Sequence, residues 1–176
     1  MIRLLLCDLD GTLVEAWRTT ALPGVRERLR GRRDQGVPVV VVTNQGGVGY
    51  RYAHEQRGEW ARAAQYPTFE AIQSRLAAIA AVLPLSRGYV SLYHGRPDWP
   101  IPDDRRIIEF HSPIPTCWSW RPGWHKPKPG MLLQALEDLK IAPSEALLVG
   151  DRPEDQAAAR AAGVPFRWAT ADWMLG

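Results

Sequence analysis

A chain of 176 residues, 45% hydrophobic and 23% charged, has the composition of one soluble globular domain with a real core, not that of a disordered, fibrous or membrane-spanning protein. Its net charge of +3 comes almost wholly from arginine, since the lysines are only Lys126, Lys128 and Lys140. The arginines are scattered, so they favour anionic ligands in general without outlining a nucleic-acid footprint. Two cysteines, Cys7 and Cys117, make no disulfide framework and point to a reducing cytoplasm; the opening apolar run stops at Asp8, too short for a signal peptide, and no stretch reaches membrane-spanning length.

The first element is a buried strand, Leu4-Leu5-Leu6-Cys7, which runs directly into Asp8-Leu9-Asp10-Gly11-Thr12. In an open α/β sheet, ligands bind beyond the carboxyl ends of the strands. The i, i+2 spacing puts Asp8 and Asp10 on one side of an extended backbone. Like charges that close should split their pKa values, leaving one acid ionised and the other able to carry a proton. A nucleophile beside a general acid/base needs that arrangement. The plainer alternative is a solvated Asp-x-Asp-Gly turn, with Gly11 as its turn residue.

Val25 and Leu29 then mark one face of a helix, with Pro23 in its first turn and Gly36 as its stop. Val37 to Val42 is a β-branched run expected in a parallel strand buried on both faces. It ends in Thr43-Asn44-Gln45-Gly46-Gly47, whose backbone amides can approach an anion closely. No Gly-Lys-Ser/Thr follows, so it is not a P-loop. Residues 50–67 are polar and aromatic with weak periodicity. Thr68 is placed to cap a helix through Val82, with Ile72, Leu76, Ile79 and Leu83 as its core stripe. Tyr89 to His94 alternates and predicts a third strand.

Residues 95–129 hold eight of the fifteen prolines and Trp99, Trp118, Trp120 and Trp124. Proline at that density predicts neither regular helix nor interior strand. Four tryptophans argue for order, so the segment is expected to be a substrate-facing loop insertion; the alternative is a surface loop pinned by aromatic packing. A helix over Gly130 to Lys140 follows, and then a buried strand from Glu145 to Gly150. It too ends in acid, in Gly150-Asp151-Arg152-Pro153-Glu154-Asp155. Pro153 begins a helix that runs to about Ala162 and stops at Gly163. Val164 to Trp168 is expected as an edge strand because of Pro165. Strands alternating with helices predict a single Rossmann-like α/β domain over residues 1–176: three layers around a parallel sheet, no large cap domain, and the 95–129 insertion.

Three strand ends therefore carry functional groups: Asp8 and Asp10, Thr43 and Asn44, and Asp151 with Asp155 one turn on. A lysine pair stands in His125-Lys126-Pro127-Lys128-Pro129-Gly130. Carboxylates, a hydroxyl and an ammonium at one sheet edge form a kit for moving a phosphoryl group. The hard oxygens of Asp8 and Asp151 suit Mg²⁺, and Lys126 and Thr43 can meet the phosphoryl oxygens.

These motifs, in this order, resemble the haloacid-dehalogenase-type (HAD) phosphatases. Asp8 to Thr12 matches their first motif, Thr43 the second, Lys126 the third, and Gly150 to Asp155 the acidic fourth. The strings Thr43 to Val48 and Lys126 to Met131 resemble the capless subfamily IIIA, which includes heptose-bisphosphate, histidinol-phosphate and polynucleotide 3′-phosphatases. The resemblance implies that Asp8 attacks phosphorus and Asp10 serves as acid and then base. It puts Mg²⁺ on Asp8, the Asp10 carbonyl and Asp151. Thr43, Asn44 and Lys126 would hold the phosphoryl group, with Asp155 and Gly11 in support, and Lys126 is preferred to Lys128 because it precedes the first proline of its string. One departure stands out: heptose-bisphosphate phosphatases carry a zinc cluster, Cys-x-His then Cys-x-Cys, before the lysine motif. Here His94, His111, Cys117 and His125 lack that spacing. The favoured substrate is a small phosphorylated metabolite, such as a sugar phosphate or histidinol phosphate. A nucleic-acid 3′-phosphatase is the second enzyme reading, and a phospho-accepting receiver module, against which Asp10 argues, the reading from another class.

Overall fold

The computed structural model describes residues 1–103, 107–111 and 113–170. Its organising feature is the two-residue repeat of the central strands, which divides the core in two. In β1 (Leu4–Cys7) and β2 (Val39–Asn44), Leu5, Cys7, Val39 and Val41 face one side, and Leu4, Leu6, Val40 and Val42 face the other. Apolar on both faces, such strands are stable only when covered on both. On the first side lie α1 (Val25–Asp34) and α4 (Phe69–Val82), which contribute Val25, Leu29, Ile72, Leu76 and Ile79. On the second lie α5 (Gly130–Leu139) and α6 (Pro153–Ala162), which contribute Met131, Leu132, Leu136 and three alanines of α6. The result is a three-layer α/β domain.

The remaining strands are β3 (Arg87–Ser91), β4 (Ile108–Phe110), β5 (Thr116–Ser119), β6 (Ala146–Gly150) and β7 (Phe166–Trp168), in the sheet order β4-β5-β3-β2-β1-β6-β7. All neighbours are parallel except β4 and β5. The carboxyl ends of β1, β2 and β6 therefore share one rim, which receives Asp8, Asn44 and Asp151. Among the described residues no helix is long and apolar enough to cross a membrane.

The structure departs from the sequence reading in four places. Pro23 lies outside α1, because Gly24, at φ 75°, is the cap. The weakly periodic 50–67 stretch is mostly helical: α2 (Gly47–Gln56) and α3 (Trp60–Ala63) occupy it. The third strand begins at Arg87 and leaves Leu92 to His94 in the loop after it. The 95–129 segment is not wholly loop, because β5 lies inside the sheet between β3 and β4. Thr116-Cys117-Trp118-Ser119 contains no proline; Pro113, Pro115 and Pro122 punctuate its ends, where no ladder bond is lost.

Candidate active site

The site is built around one lysine. Lys126 is 3% exposed, and its Nζ donates to Asp8 Oδ1 at 2.6 Å, to Asp155 Oδ1 at 2.6 Å and to the Val42 carbonyl at 2.8 Å. All three ammonium protons are used. Burial pushes its pKa down, but the two carboxylates outweigh burial and the net shift is upward, so the charge stays. Asn44 fixes the lysine's backbone: its Oδ1 accepts from Lys126 N–H and its Nδ2 donates to the Lys126 carbonyl, both at 3.0 Å. The sequence reading placed Asn44 on the phosphoryl group. The structure instead commits both polar atoms of that side chain to the lysine loop, 82 residues away. Lys128 is exposed and lines a different cavity.

The acids come from three elements. Asp8 follows β1, and its amide still donates to Val149 of β6 at 2.9 Å. Asp151 follows β6. Asp155 sits in the first turn of α6, where its Oδ2 accepts from the Arg152 amide at 3.0 Å and so satisfies an open donor of the helix start. Oxygens of Asp8, Asp151 and Asp155 all lie within 4.8 Å of one another. Two glycines make room for them. A Cβ at Gly11, whose φ is +81°, would stand 2.4 Å from Asp151 Oδ2, and one at Gly150 would stand 2.4 Å from Asp155 Oδ2. Thr12 Oγ1 donates to Asp151 Oδ1 at 3.3 Å. An all-oxygen donor set of this kind fits Mg²⁺. Asp10 lines the same cavity as Asp8 and Asp155 but is not one of the converging trio.

Asp10 is held by four donors. Its Oδ1 accepts from the Trp17 amide at 2.7 Å and from Arg75 Nη2 at 2.5 Å; its Oδ2 accepts from Arg75 Nη1 at 3.1 Å and from Gln45 Nε2 at 3.0 Å. Burial raises its pKa, yet these contacts, Arg75 first, bring it below the ordinary value. Asp8 moves the other way, to about 6, through burial and then Asp155, against the pull of Lys126. The two acids do separate, but not by repelling each other as their spacing suggested. Each answers to a partner distant in sequence.

Arg75 and Gln45 were missed as site residues. Arg75 had a visible signal: Ile72, Arg75, Leu76 and Ile79 follow i, i+3, i+4, i+7, so a guanidinium sits on the inward stripe of α4, where it needs a partner. Arg75 also donates to the Arg18 carbonyl, from Nη2 at 2.8 Å. Gln45 is buried and donates to Thr43 Oγ1 at 3.1 Å as well as to Asp10. The rim encloses a cavity of about 310 Å³ lined by Asp8, Asp10, Thr43 and Lys126, with Trp17 and Arg152 at its sides.

The four residues weighed as zinc ligands do not gather. His94 Nδ1 accepts from the Arg96 amide at 3.1 Å, which leaves Nε2 to donate to the Pro100 carbonyl at 3.2 Å. Cys117 lies 3.5 Å from Arg87 Nη2, and His111 is exposed. Among the described residues the acidic trio is the one group of three or more candidate ligands that converges.

Comparison with known proteins bears on the same residues. Two family models, both described as haloacid dehalogenase-like hydrolase, match residues 5–59 and 122–169, stretches that contain the two aspartates and the threonine of the first half and the lysine and two aspartates of the second. Both halves of the chain are thus similar to haloacid dehalogenase-like hydrolases. It is 28% identical over 152 residues to the D-glycero-beta-D-manno-heptose-1,7-bisphosphate 7-phosphatase of Haemophilus ducreyi, covering 81% of this chain and 65% of that protein. A namesake from Pasteurella multocida is 51% identical over 39 residues, 22% of this chain and 21% of its own length. The chain thus spans less than two thirds of the length of these curated relatives. Among solved structures, the D,D-heptose 1.7-bisphosphate phosphatase from B. bronchiseptica, complexed with magnesium and phosphate, superposes with a TM-score of 0.57 at 21% identity, over 94% of this chain and 79% of that one. That likeness is one of fold: this chain shares the parallel-sheet framework.

Proposed function

We propose that this chain is a Mg²⁺-dependent phosphomonoesterase working through an aspartyl-phosphate on Asp8, with a small phosphorylated metabolite as substrate. The observation that carries the reading is the Lys126 bridge. It holds Asp8 at the floor of the cavity, beside a second and third acid close enough to share a cation. The names of the relatives support a phosphorylated sugar as the substrate class. Free, buried Cys7 and Cys117 suit a cytoplasmic setting.

When bound, Mg²⁺ supplies positive charge to the phosphoryl oxygens and to the nucleophile; Asp8, Asp151 and the Asp10 carbonyl would hold it, with Asp155 alongside. Asp8 attacks phosphorus, the bond from phosphorus to the ester oxygen breaks, and a new bond to the Asp8 carboxylate forms. Thr43 presents a hydroxyl to the phosphoryl oxygens as their charge shifts, and Lys126 presents an ammonium there by giving up one of its contacts to Asp8, Asp155 or the Val42 carbonyl. Asp10 gives its proton to the departing oxygen. It then takes one from the water that splits the acyl phosphate, which returns Asp8 to a carboxylate and releases inorganic phosphate. Paired with Arg75, Asp10 is in the ionised form that the second step needs. The first step requires it to loosen one of those contacts and take up a proton from solvent, which it then passes to the departing oxygen.

The test is a panel of phosphate monoesters with Mg²⁺, using Asp8→Asn as the blank. Turnover that vanishes in the blank is expected, with sugar phosphates ahead of a 3′-phosphorylated oligonucleotide. Preference for the oligonucleotide would overturn the substrate class. A phospho-Asp8 that survives for minutes would overturn the enzyme reading in favour of a receiver.

A further inference from the structure

Beside the catalytic cavity lies a larger one, about 580 Å³, for which the chemistry above has no use. Its walls are Tyr93 and, from the 95–129 insertion, Trp99, Pro100, Ile101 and Pro122, with Lys128 contributing the charge. The two cavities adjoin along two short stretches of chain. Tyr93 and Gly95 line the larger and His94 the smaller; Lys128 lines the larger, and His125 and Lys126 the smaller. Gly95 sits at the junction with φ +81°, and a Cβ there would stand 3.6 Å from His125 Nε2. With no side chain at that point, the boundary is left unfilled.

The wall is set in place without a ligand. Trp99 meets His54 and Tyr50 edge-on, with ring centres 5.1 and 5.8 Å apart, and the guanidinium carbons of Arg57 and Arg96 each lie 4.9 Å from its ring centre. The Pro100 carbonyl accepts from His94. Proline walls lose no side-chain freedom on binding, so the cavity is organised in advance.

The chemistry of the lining selects its occupant. Indole, prolines and isoleucine reward an apolar body and offer few partners to a polyol, whose hydroxyls would be desolvated without replacement. The ammonium of Lys128, exposed at the edge, meets an anion. We propose that this cavity is the subsite for the leaving group, and that it takes the apolar, ring-bearing body of a phosphate monoester whose second anionic group reaches Lys128. The inference rests on the phosphatase reading of Asp8 and deepens it. It also departs from the polyhydroxylated substrate that the relatives' names describe.

Four monoesters with alkoxide leaving groups decide the matter when assayed on the full chain with Mg²⁺: methyl, benzyl and 4-carboxybenzyl phosphate, and glucose 6-phosphate. The expected result is that kcat/KM for 4-carboxybenzyl phosphate exceeds that for glucose 6-phosphate by about tenfold or more, mostly through KM. Ile101→Glu should cut the ratio of 4-carboxybenzyl to methyl phosphate by about tenfold. Lys128→Ala should cut the ratio of 4-carboxybenzyl to benzyl phosphate by about fivefold. Because these are ratios within one variant, a partly misfolded preparation does not move them. Turnover of methyl phosphate with glucose 6-phosphate equal or preferred, or with ratios unmoved by both variants, would overturn the subsite and leave the phosphatase reading standing. No turnover of any of the four by folded protein would overturn both.

Discussion

His125 lies between the lysine that organises the site and the loop that leaves β3, and its titration follows from that place. Burial first, then Lys126 and His94, push its pKa from 6.5 down to about 4. The folded chain keeps the ring neutral at pH values where the unfolded chain protonates it. Between about 6.5 and 4 the unfolded state therefore binds more protons, and stability is full above that window and lost as pH falls through it. A shift of this size is worth at most about 3 kcal/mol, and about 2 kcal/mol for a ring partly open to solvent. Asp8 acts in the opposite sense, since an acid raised from 3.8 to about 6 stabilises the folded chain as pH falls. The comparison must therefore be between native chain and His125→Gln. Urea unfolding from pH 4 to 7 should show the native curve falling away from the variant's on the acid side; parallel curves would remove the argument. At this scale the sequence was legible where a residue's place follows from a strand ending. Asp8, Asp151, Asp155 and Lys126 converge as their positions implied. Arg75 and Gln45 were not read, because their value lies in the Asp10 carboxylate that both reach from distant segments, although the inward stripe of α4 did mark Arg75 as needing a partner.

At the scale of elements, α4 shows how a local cap supports a remote carboxylate. Thr68 Oγ1 accepts from the Ala71 amide at 3.1 Å and satisfies one of the open donors at the helix start. The same helix delivers Arg75 to Asp10. Thr68→Ala should cost about 1 kcal/mol, read as a fall in Tm of about 2–4 °C for a chain of this size, and Thr68→Ser should restore most of it. No loss in the alanine variant would mean that the cap is not used in solution. This helix was legible because an aliphatic stripe and a cap agree. By contrast, α2 and α3 were hidden because their buried faces are small or polar, Val48, Gly49, Ala53 and His54 in α2 and Ala63 in α3, with ring packing beside them. Tyr50 and His54 both pack on Tyr66, with ring centres 5.3 and 5.5 Å apart, and no aliphatic stripe records this. Composition misled in the insertion for a related reason. Counting prolines over 95–129 averages across a proline-free four-residue strand, and it is that strand's register against β3, Gly88 to Thr116 through Ser91 to Ser119, that places it inside the sheet.

At the scale of the whole molecule, the sheet rim gathers negative charge that the chain itself only partly neutralises. Asp8, Asp151 and Asp155 come from separate segments and approach within 4.8 Å, while of these three carboxylates the Lys126 ammonium donates to Asp8 and Asp155. A divalent cation bound there would tie β1, β6 and α6 together and be lost on unfolding, so it should stabilise the fold by mass action. At one hundred times its Kd the gain is about 2.7 kcal/mol, or roughly 5–10 °C in Tm for a chain of this length. Protons compete for the same oxygens. Since Asp8 titrates near 6, the gain should be large at pH 7.5 and much reduced at pH 5. Asp151→Asn should abolish most of the shift. Gly11→Ala should do likewise, because its new methyl group falls on Asp151 Oδ2. Lys128→Ala, away from the acids, should leave the shift intact. Thermal melts with Mg²⁺ and with EDTA at both pH values read all of this without a substrate. A native chain whose Tm ignores Mg²⁺ at pH 7.5 would mean that the chain's own donors, Lys126 on Asp8 and Asp155 and Thr12 on Asp151, hold the three carboxylates without a cation, and the metal would have to be given up before any assay of turnover was run.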